Sequence, residues 1–142
     1  MPTRIYFAAP LFTAAEQAFN ARLADHLDAL GWRVFLPQAR CAGLTTSAAI
    51  YQRCLEDLTQ AEVIVAILDG ADADAGTCWE CGYATGQNIP VIAVRTDFRQ
   101  SGDTRGFNAM LLHAAAAVIE GKEDLADRIH AAICAVLNVS PS

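Results

Sequence analysis

The stretch Val63-Ile64-Val65-Ala66-Ile67-Leu68, running on into Asp69-Gly70-Ala71-Asp72-Ala73-Asp74-Ala75-Gly76-Thr77-Cys78-Trp79-Glu80-Cys81-Gly82-Tyr83-Ala84, decides the fold. An unbroken apolar run of this length is expected of a central parallel strand covered on both faces, since no position along it is left to water. After it come an acidic loop bearing Asp69, Asp72 and Asp74 and a helix predicted from about Thr77 to Gln87. Carboxylates concentrated where a strand empties into a helix mark the rim on which open α/β sheets bind ligands.

Working outward, Arg4 to Ala8 reads as a short buried strand, and Thr13-x-x-Glu16 opens a helix as a capping box. Ala15, Phe19, Leu23, Leu27 and Leu30 keep helical spacing along it, and Gly31 is placed to close it. Arg33 to Leu36 is a second strand stopped by Pro37. Residues 38–46 read as a loop, and a further amphipathic helix spans about Ser47 to Gln60. Val91 to Val94 is a fourth strand, 96–107 a long polar loop, Asn108 to His113 a short helix and Ala117 to Ile119 a fifth strand. Leu125, Ile129, Ile133 and Leu137 trace the last helix at steps of four. Strand-helix alternation with short connections predicts one doubly wound, flavodoxin-like α/β domain over residues 1–138, a five-stranded parallel sheet with helices on both faces and a tail at 139–142, and analogy with similar small domains gives the strand order 2-1-3-4-5.

Composition narrows the function. Hydrophobic residues make up 54% and charged residues 18% of the 142 positions, which suits large buried faces and subunit contacts and excludes disorder. A net charge of −6 with no Lys/Arg cluster predicts no nucleic-acid polymer and no anionic membrane as partner. Only about five apolar residues follow Met1-Pro2-Thr3-Arg4, too few for a signal h-region or a spanning helix, so a cytoplasmic location is expected. The five cysteines, Cys41, Cys54, Cys78, Cys81 and Cys134, are odd in number and irregular in spacing, which favours reduced thiols over a disulfide framework. For Cys78-x-x-Cys81, helix packing is favoured over a redox pair, whose thiols an upstream acidic loop would hold protonated, and over zinc, which lacks a second ligand pair.

The acidic loop is the reverse of a phosphate cradle, since Asp69, Asp72 and Asp74 repel anions and no glycine-rich phosphate motif occurs. Ala9-Pro10-Leu11-Phe12, after the first strand, is apolar, which favours an uncharged small molecule. Asp72-x-Asp74 echoes a calcium loop, but the distal bidentate Glu is missing. No metal and no cofactor are expected. Glu80 has two readings: the far half of a Thr77-x-x-Glu80 capping box, or a nucleophile kept ionised by the helix dipole within an apolar pocket. With Asp74 across a small ligand, one carboxylate attacking and one managing a proton are equipment for breaking a glycosidic bond.

These residues resemble the nucleoside 2-deoxyribosyltransferase family over nearly the whole chain. The resemblance rests on Ile5-Tyr6-Phe7-Ala8-Ala9-Pro10-Leu11-Phe12, on Leu36-Pro37-Gln38, and above all on Asp69-Gly70 through Asp74-x-Gly76-Thr77-x-x-Glu80-x-Gly82-Tyr83-Ala84. Pro90-Val91, Thr96-Asp97-Phe98-Arg99 and Asn108-Ala109-Met110 follow in order. It implies a retaining pentosyltransferase of nucleotide salvage, moving 2-deoxyribose between free nucleobases through a covalent deoxyribosyl-glutamate at Glu80. Tyr6 then matches the tyrosine that orients the glutamate, and Asp74 the carboxylate handling the proton of the base. Gln38 falls near a base-contacting glutamine, with an ordinary turn residue as the other reading. Phe12 belongs with Phe7, Leu11 and Trp79 to walls that keep water from the ester. Asn108 and Met110 match residues lent by a neighbouring subunit, so the resemblance implies a homo-oligomer. Asp97 and Arg99 are read as a pair ordering the long loop, with a solvated surface pair as the other reading.

One departure stands out: Cys54 lies where the family often has an aspartate facing the base, and Asp57, one helical turn on, is a candidate to compensate. Two alternatives stand beside transfer. One is an N-glycosidase of the same fold acting on 2′-deoxynucleosides or their 5′-monophosphates, and the other is a nucleoside-binding module without turnover.

Overall fold

Alternation of side chains along the strands splits the core into two layers, one on each face of a single sheet. The computed structural model describes residues 1–141. In chain order the elements are β1 (Arg4–Ala8), α1 (Ala14–Ala29), β2 (Arg33–Phe35), α2 (Pro37–Arg40), α3 (Ser47–Gln60), β3 (Val63–Ile67), α4 (Ala75–Gly86), β4 (Val91–Arg95), α5 (Ala109–Ala114), β5 (Ala117–Glu120) and α6 (Leu125–Leu137). The strands form one all-parallel sheet in the order β2-β1-β3-β4-β5, as the sequence predicts.

Ile5 and Phe7 of β1, with Val63, Val65 and Ile67 of β3 and Ile92 and Val94 of β4, pack against Leu23 and Leu27 of α1 and Ile129 and Ile133 of α6. Tyr6 and Ala8, with Ile64, Ala66 and Ala93, face the opposite way, onto Leu58 of α3 and Cys81 and Ala84 of α4. Successive strand residues point to opposite faces, so the register Tyr6↔Ile64 hands Tyr6 to the α3/α4 layer. All five residues of β3 are buried, as the apolar run requires.

The Thr13 capping box forms, with Thr13 Oγ1 accepting from the Glu16 amide at 3.1 Å and Glu16 accepting from the Thr13 amide at 2.8 Å. Leu30 caps the far end of α1, and Gly31 then turns the chain at φ 98°, a conformation that suits glycine. Several boundaries differ from expectation. Pro37, buried and at the first helical position, starts the short helix α2 where a loop was expected. β2 and β3 stop one residue early, while β4 and β5 run one residue further, to Arg95 and Glu120. α4 begins two residues before Thr77, because Asp74 is its N-cap. No helix among the described residues is long and apolar enough to cross a membrane. Ser142, the last residue of the expected tail, lies outside the described residues.

Candidate active site

Between β1 and β3 the sheet reverses its direction of growth, and the loops beyond their carboxyl ends part there to leave a crevice. A cavity of about 390 Å³ occupies it. Ala9, Leu11 and Phe12 line one side, Pro37 lies at its base, Ile50, Tyr51, Cys54, Leu55 and Leu58 of α3 form another wall, and Asp74, Gly76, Trp79 and Glu80 close it from α4. A larger groove of about 530 Å³ between α1 and α6 holds Arg22, His26, Lys122, Asp124 and Asp127, all exposed to water. A titratable group removed from water and aimed into a concavity occurs in the crevice instead.

That group is Glu80. Tyr6 is 1% exposed, and its hydroxyl donates to the Glu80 carboxylate in a short contact. Burial pushes the Glu80 pKa up to about 7; the Tyr6 hydrogen bond opposes the rise, and the charge of Asp74 adds to it. Burial, followed by the charge of Glu80, likewise raises the Tyr6 phenol far above its ordinary value, so Tyr6 stays protonated and able to donate. The expectation that the helix dipole holds Glu80 ionised is therefore corrected. Glu80 sits in the second turn of α4, beyond the reach of the dipole's strongest field, and desolvation dominates. The Thr77-x-x-Glu80 capping box does not form either, because Thr77 is a helical residue whose amide donates to Asp74 Oδ2 at 2.9 Å.

The three aspartates of the loop have separate surroundings. Asp69 accepts from the Thr96 amide at 2.7 Å, the Thr96 hydroxyl and the Asp97 amide at 3.1 Å, tying the end of β3 to the segment after β4. Asp72 is exposed. Asp74 caps α4 through Oδ2, which also accepts from the Thr77 hydroxyl at 3.1 Å, and reaches the cavity. The expected pair of Asp97 and Arg99 is present, with Arg99 Nε 2.9 Å from Asp97 Oδ1, and Arg99 holds the Asp97 carboxyl well below the usual range.

Other residues singled out from the sequence are distributed less simply. Phe12 is 74% exposed at the cavity's edge, and Cys54 lines its wall beside the Tyr6 hydroxyl, with its thiol pushed up to about 11 by burial. Asp57 does not stand in for the missing aspartate. It is buried and absent from the cavity lining, in a two-pronged ion pair with Arg40 at 2.7 Å for both contacts. Gln38 is also outside the lining: its Oε1 accepts from Asn20 at 3.1 Å and its Nε2 donates to the Gln17 carbonyl at 2.9 Å, pinning α2 to α1. Asn108 and Met110 lie across α4 from Glu80, in a separate groove of about 340 Å³ with Cys78, Cys81 and Thr85. Asn108 caps α5, and Met110 is 80% exposed.

Sequence reading missed Arg95. At 4% exposure it donates to the carbonyls of Leu68 at 2.8 Å, Gly70 at 3.0 Å and Arg99 at 3.1 Å, joining the two loops that frame this edge of the sheet. The available signal was an arginine at the end of the apolar run Val91-Ile92-Ala93-Val94, where a charge is tolerated only if the chain folds around it. Among the described residues, no group of three or more His, Cys, Asp or Glu side chains converges in a way that could hold a metal ion.

Comparison with known proteins gives a consistent picture. The sequence model of the family described as nucleoside 2-deoxyribosyltransferase matches residues 5–138. A conserved protein from Enterococcus faecalis V583 superimposes with a TM-score of 0.75 at 29% identity, covering 91% of this chain and 98% of that one. A 2-deoxyribosyltransferase from Bacillus psychrosaccharolyticus (TM-score 0.74, 22% identity, 89% and 90% covered) and one from Leishmania mexicana (0.74, 20%, 90% and 96%) share the fold. No curated protein matches the chain by sequence.

Proposed function

The chain belongs to the nucleoside 2-deoxyribosyltransferase family, and from that premise we propose that it moves 2-deoxyribose from one nucleobase to another by double displacement at Glu80. The observation that carries this reading is the buried Tyr6 hydroxyl bound to the Glu80 carboxylate at an apolar cavity that Asp74 also reaches.

In the first displacement a Glu80 oxygen attacks the anomeric carbon and the bond to the base nitrogen breaks. The bond's electron pair leaves with the base, which takes a proton handled by Asp74. Asp74 is suited to that traffic because Oδ2 is committed to Thr77, while Oδ1 makes no hydrogen bond within the described residues. Tyr6 holds Glu80 in one orientation and stabilises its charge. A second base then returns its proton to Asp74 and attacks the same carbon, so that two inversions leave the configuration retained. The apolar walls, Leu11, Leu55 and Trp79 among them, shelter the ester from water between the two steps.

The apolar loop Ala9-Pro10-Leu11-Phe12 favours nucleosides over their phosphates as substrates. The exposed Met110 and the adjoining Asn108 fit the role of groups lent to the site of a second copy, in a homo-oligomer serving nucleotide salvage. Incubation with a 2-fluoro-2-deoxynucleoside should leave a sugar ester that peptide mass spectrometry locates on Glu80, and added cytosine should discharge it. Binding of the nucleoside without an adduct would instead identify a binding module, and release of sugar regardless of added base a hydrolase.

The raised pKa makes a second prediction. Attack needs the carboxylate, so kcat/KM should climb with pH through about 7 and level off above it. A profile flat between about pH 6 and pH 8 would remove Glu80 from the rate-determining ionisation.

A further inference from the structure

The sequence offers Cys78 and Cys81 as its only closely spaced thiols, yet the structure turns them to other uses. Cys81 is 3% exposed inside the α3/α4 layer, and the Cys78 thiol contacts the Ala73 carbonyl at 3.7 Å. A different pair meets in space. Cys41, half-buried at the C-terminal cap of α2, has its Sγ 3.7 Å from the Sγ of Cys54 on α3. Cys54 also lines the cavity, beside the Tyr6 hydroxyl that holds Glu80.

We propose that Cys41 and Cys54 are a modification site: a pair of thiols that a hydroperoxide joins into a disulfide on the cavity wall and that a dithiol restores. Cys41 reacts first, since burial keeps the Cys54 thiol protonated and therefore a poor first nucleophile. The Cys41 sulfur attacks the peroxide, the oxygen-oxygen bond breaks, and an alcohol leaves as Cys41 becomes a sulfenic acid. The Cys54 thiol then displaces the hydroxyl as water, its proton leaving with it. In sum, two thiols and one hydroperoxide give one disulfide, one alcohol and one water, with two electrons passing from sulfur to oxygen. Joining the sulfurs draws Cys54 toward Cys41 and away from Tyr6, disturbing the wall against which the substrate rests. That effect on turnover relies on the reaction proposed above, whereas the linkage itself does not.

Trypsin cuts after Arg40 and Arg53, so the two cysteines fall on separate peptides, 41–53 and 54–95. The full-length protein is treated with hydrogen peroxide or with dithiothreitol, alkylated, digested without reduction and analysed by fragmentation mass spectrometry, with base exchange assayed in parallel. Peroxide should yield the two peptides joined through Cys41 and Cys54, lighter by two hydrogens than their sum. Exchange should slow roughly tenfold or more, as expected for a displaced active-site wall, and dithiothreitol should restore it. Cys41→Ser, which alters no cavity-lining residue, should exchange bases at the untreated rate before and after peroxide.

The proposal fails if no such linked peptide appears, if the bond is to Cys78 or Cys81, or if the linked protein turns over undiminished. A reduced protein that exchanges no deoxyribose refutes the assigned reaction, and the peptide map still decides whether the thiols join.

Discussion

Glu80→Ala should lower the rate of deoxyribose exchange by about four orders of magnitude or more, because in the proposed double displacement it deletes the group that holds the sugar between bases. Its far-UV circular dichroism should match that of the parent protein. Glu80→Gln is the sharper test. It keeps the shape and can still accept from Tyr6, so a loss of exchange as large as alanine's isolates the nucleophile from the packing.

The glutamine variant should also be more stable above neutrality, and the sign follows from the raised pKa. Below about pH 4.5 the carboxyl is neutral in both folded and unfolded chains and contributes no difference. Between there and about pH 7 the unfolded chain ionises while the folded one retains its proton, so stability falls as pH rises. At about 1.4 kcal/mol per pKa unit, and allowing for the solvent that reaches the cavity, the penalty levels off near 2 kcal/mol. Glu80→Gln escapes it. Urea unfolding at about pH 5 and about pH 8 should find the variant's advantage mainly at the higher pH. An equal advantage at both would mean that Glu80 is not a buried acid.

The same duality explains which parts of this protein could be read from its sequence. The parallel sheet followed from strand-helix alternation and its order from analogy with similar small domains, while the unbroken Val63–Leu68 run marked the centre, because hydrophobic burial repeats with the periodicity of the backbone. Asp74 and Glu80 stood out as carboxylates on the loop and helix that follow that strand, whereas Tyr6, and the choice of nucleophile over helix cap for Glu80, came from the family resemblance. Asp57 and Gln38 were not, because helical spacing says which residues share a face and not which partner claims them. A buried Asp57 carboxylate beside Arg40 finds its charge there, and the Gln38 amide is taken up by Asn20 and the Gln17 carbonyl. Thr77 illustrates another limit. Asp74 and Thr77 are both competent helix caps, and the choice of Asp74 started α4 two residues earlier and left Glu80 in its second turn. The contact between Cys41 and Cys54 joins two helices through a turn and leaves no periodic trace.

Arg95→Met should cost about 3 kcal/mol of folding stability and slow exchange, although the side chain is absent from the cavity lining. The guanidinium satisfies the carbonyls of Leu68 and Gly70 on the segment that leads to Asp74, and the carbonyl of Arg99 on the loop after β4. Its Nε is the one buried side-chain polar atom without a partner among the described residues. The chain closes over it so tightly that a Cβ at Gly106, where φ is 90°, would stand 2.9 Å from Nε and 2.7 Å from the Arg99 carbonyl oxygen. Each hydrogen bond from a charged donor is worth about 1.5–3 kcal/mol, but methionine also relieves the desolvation of a charge, so the net loss is smaller than the sum. With the guanidinium gone, residues 68–74 and 96–106 should exchange amide hydrogens faster while β3 and β4 stay protected. The fall in turnover should follow from a less well-placed Asp74, since only Asp69 and the hydrogen bond from the Gly70 amide to Asp97 would then tie the two loops together. Unchanged hydrogen exchange together with slowed turnover would contradict this account, because Arg95 would then be acting on the substrate and not through the loops.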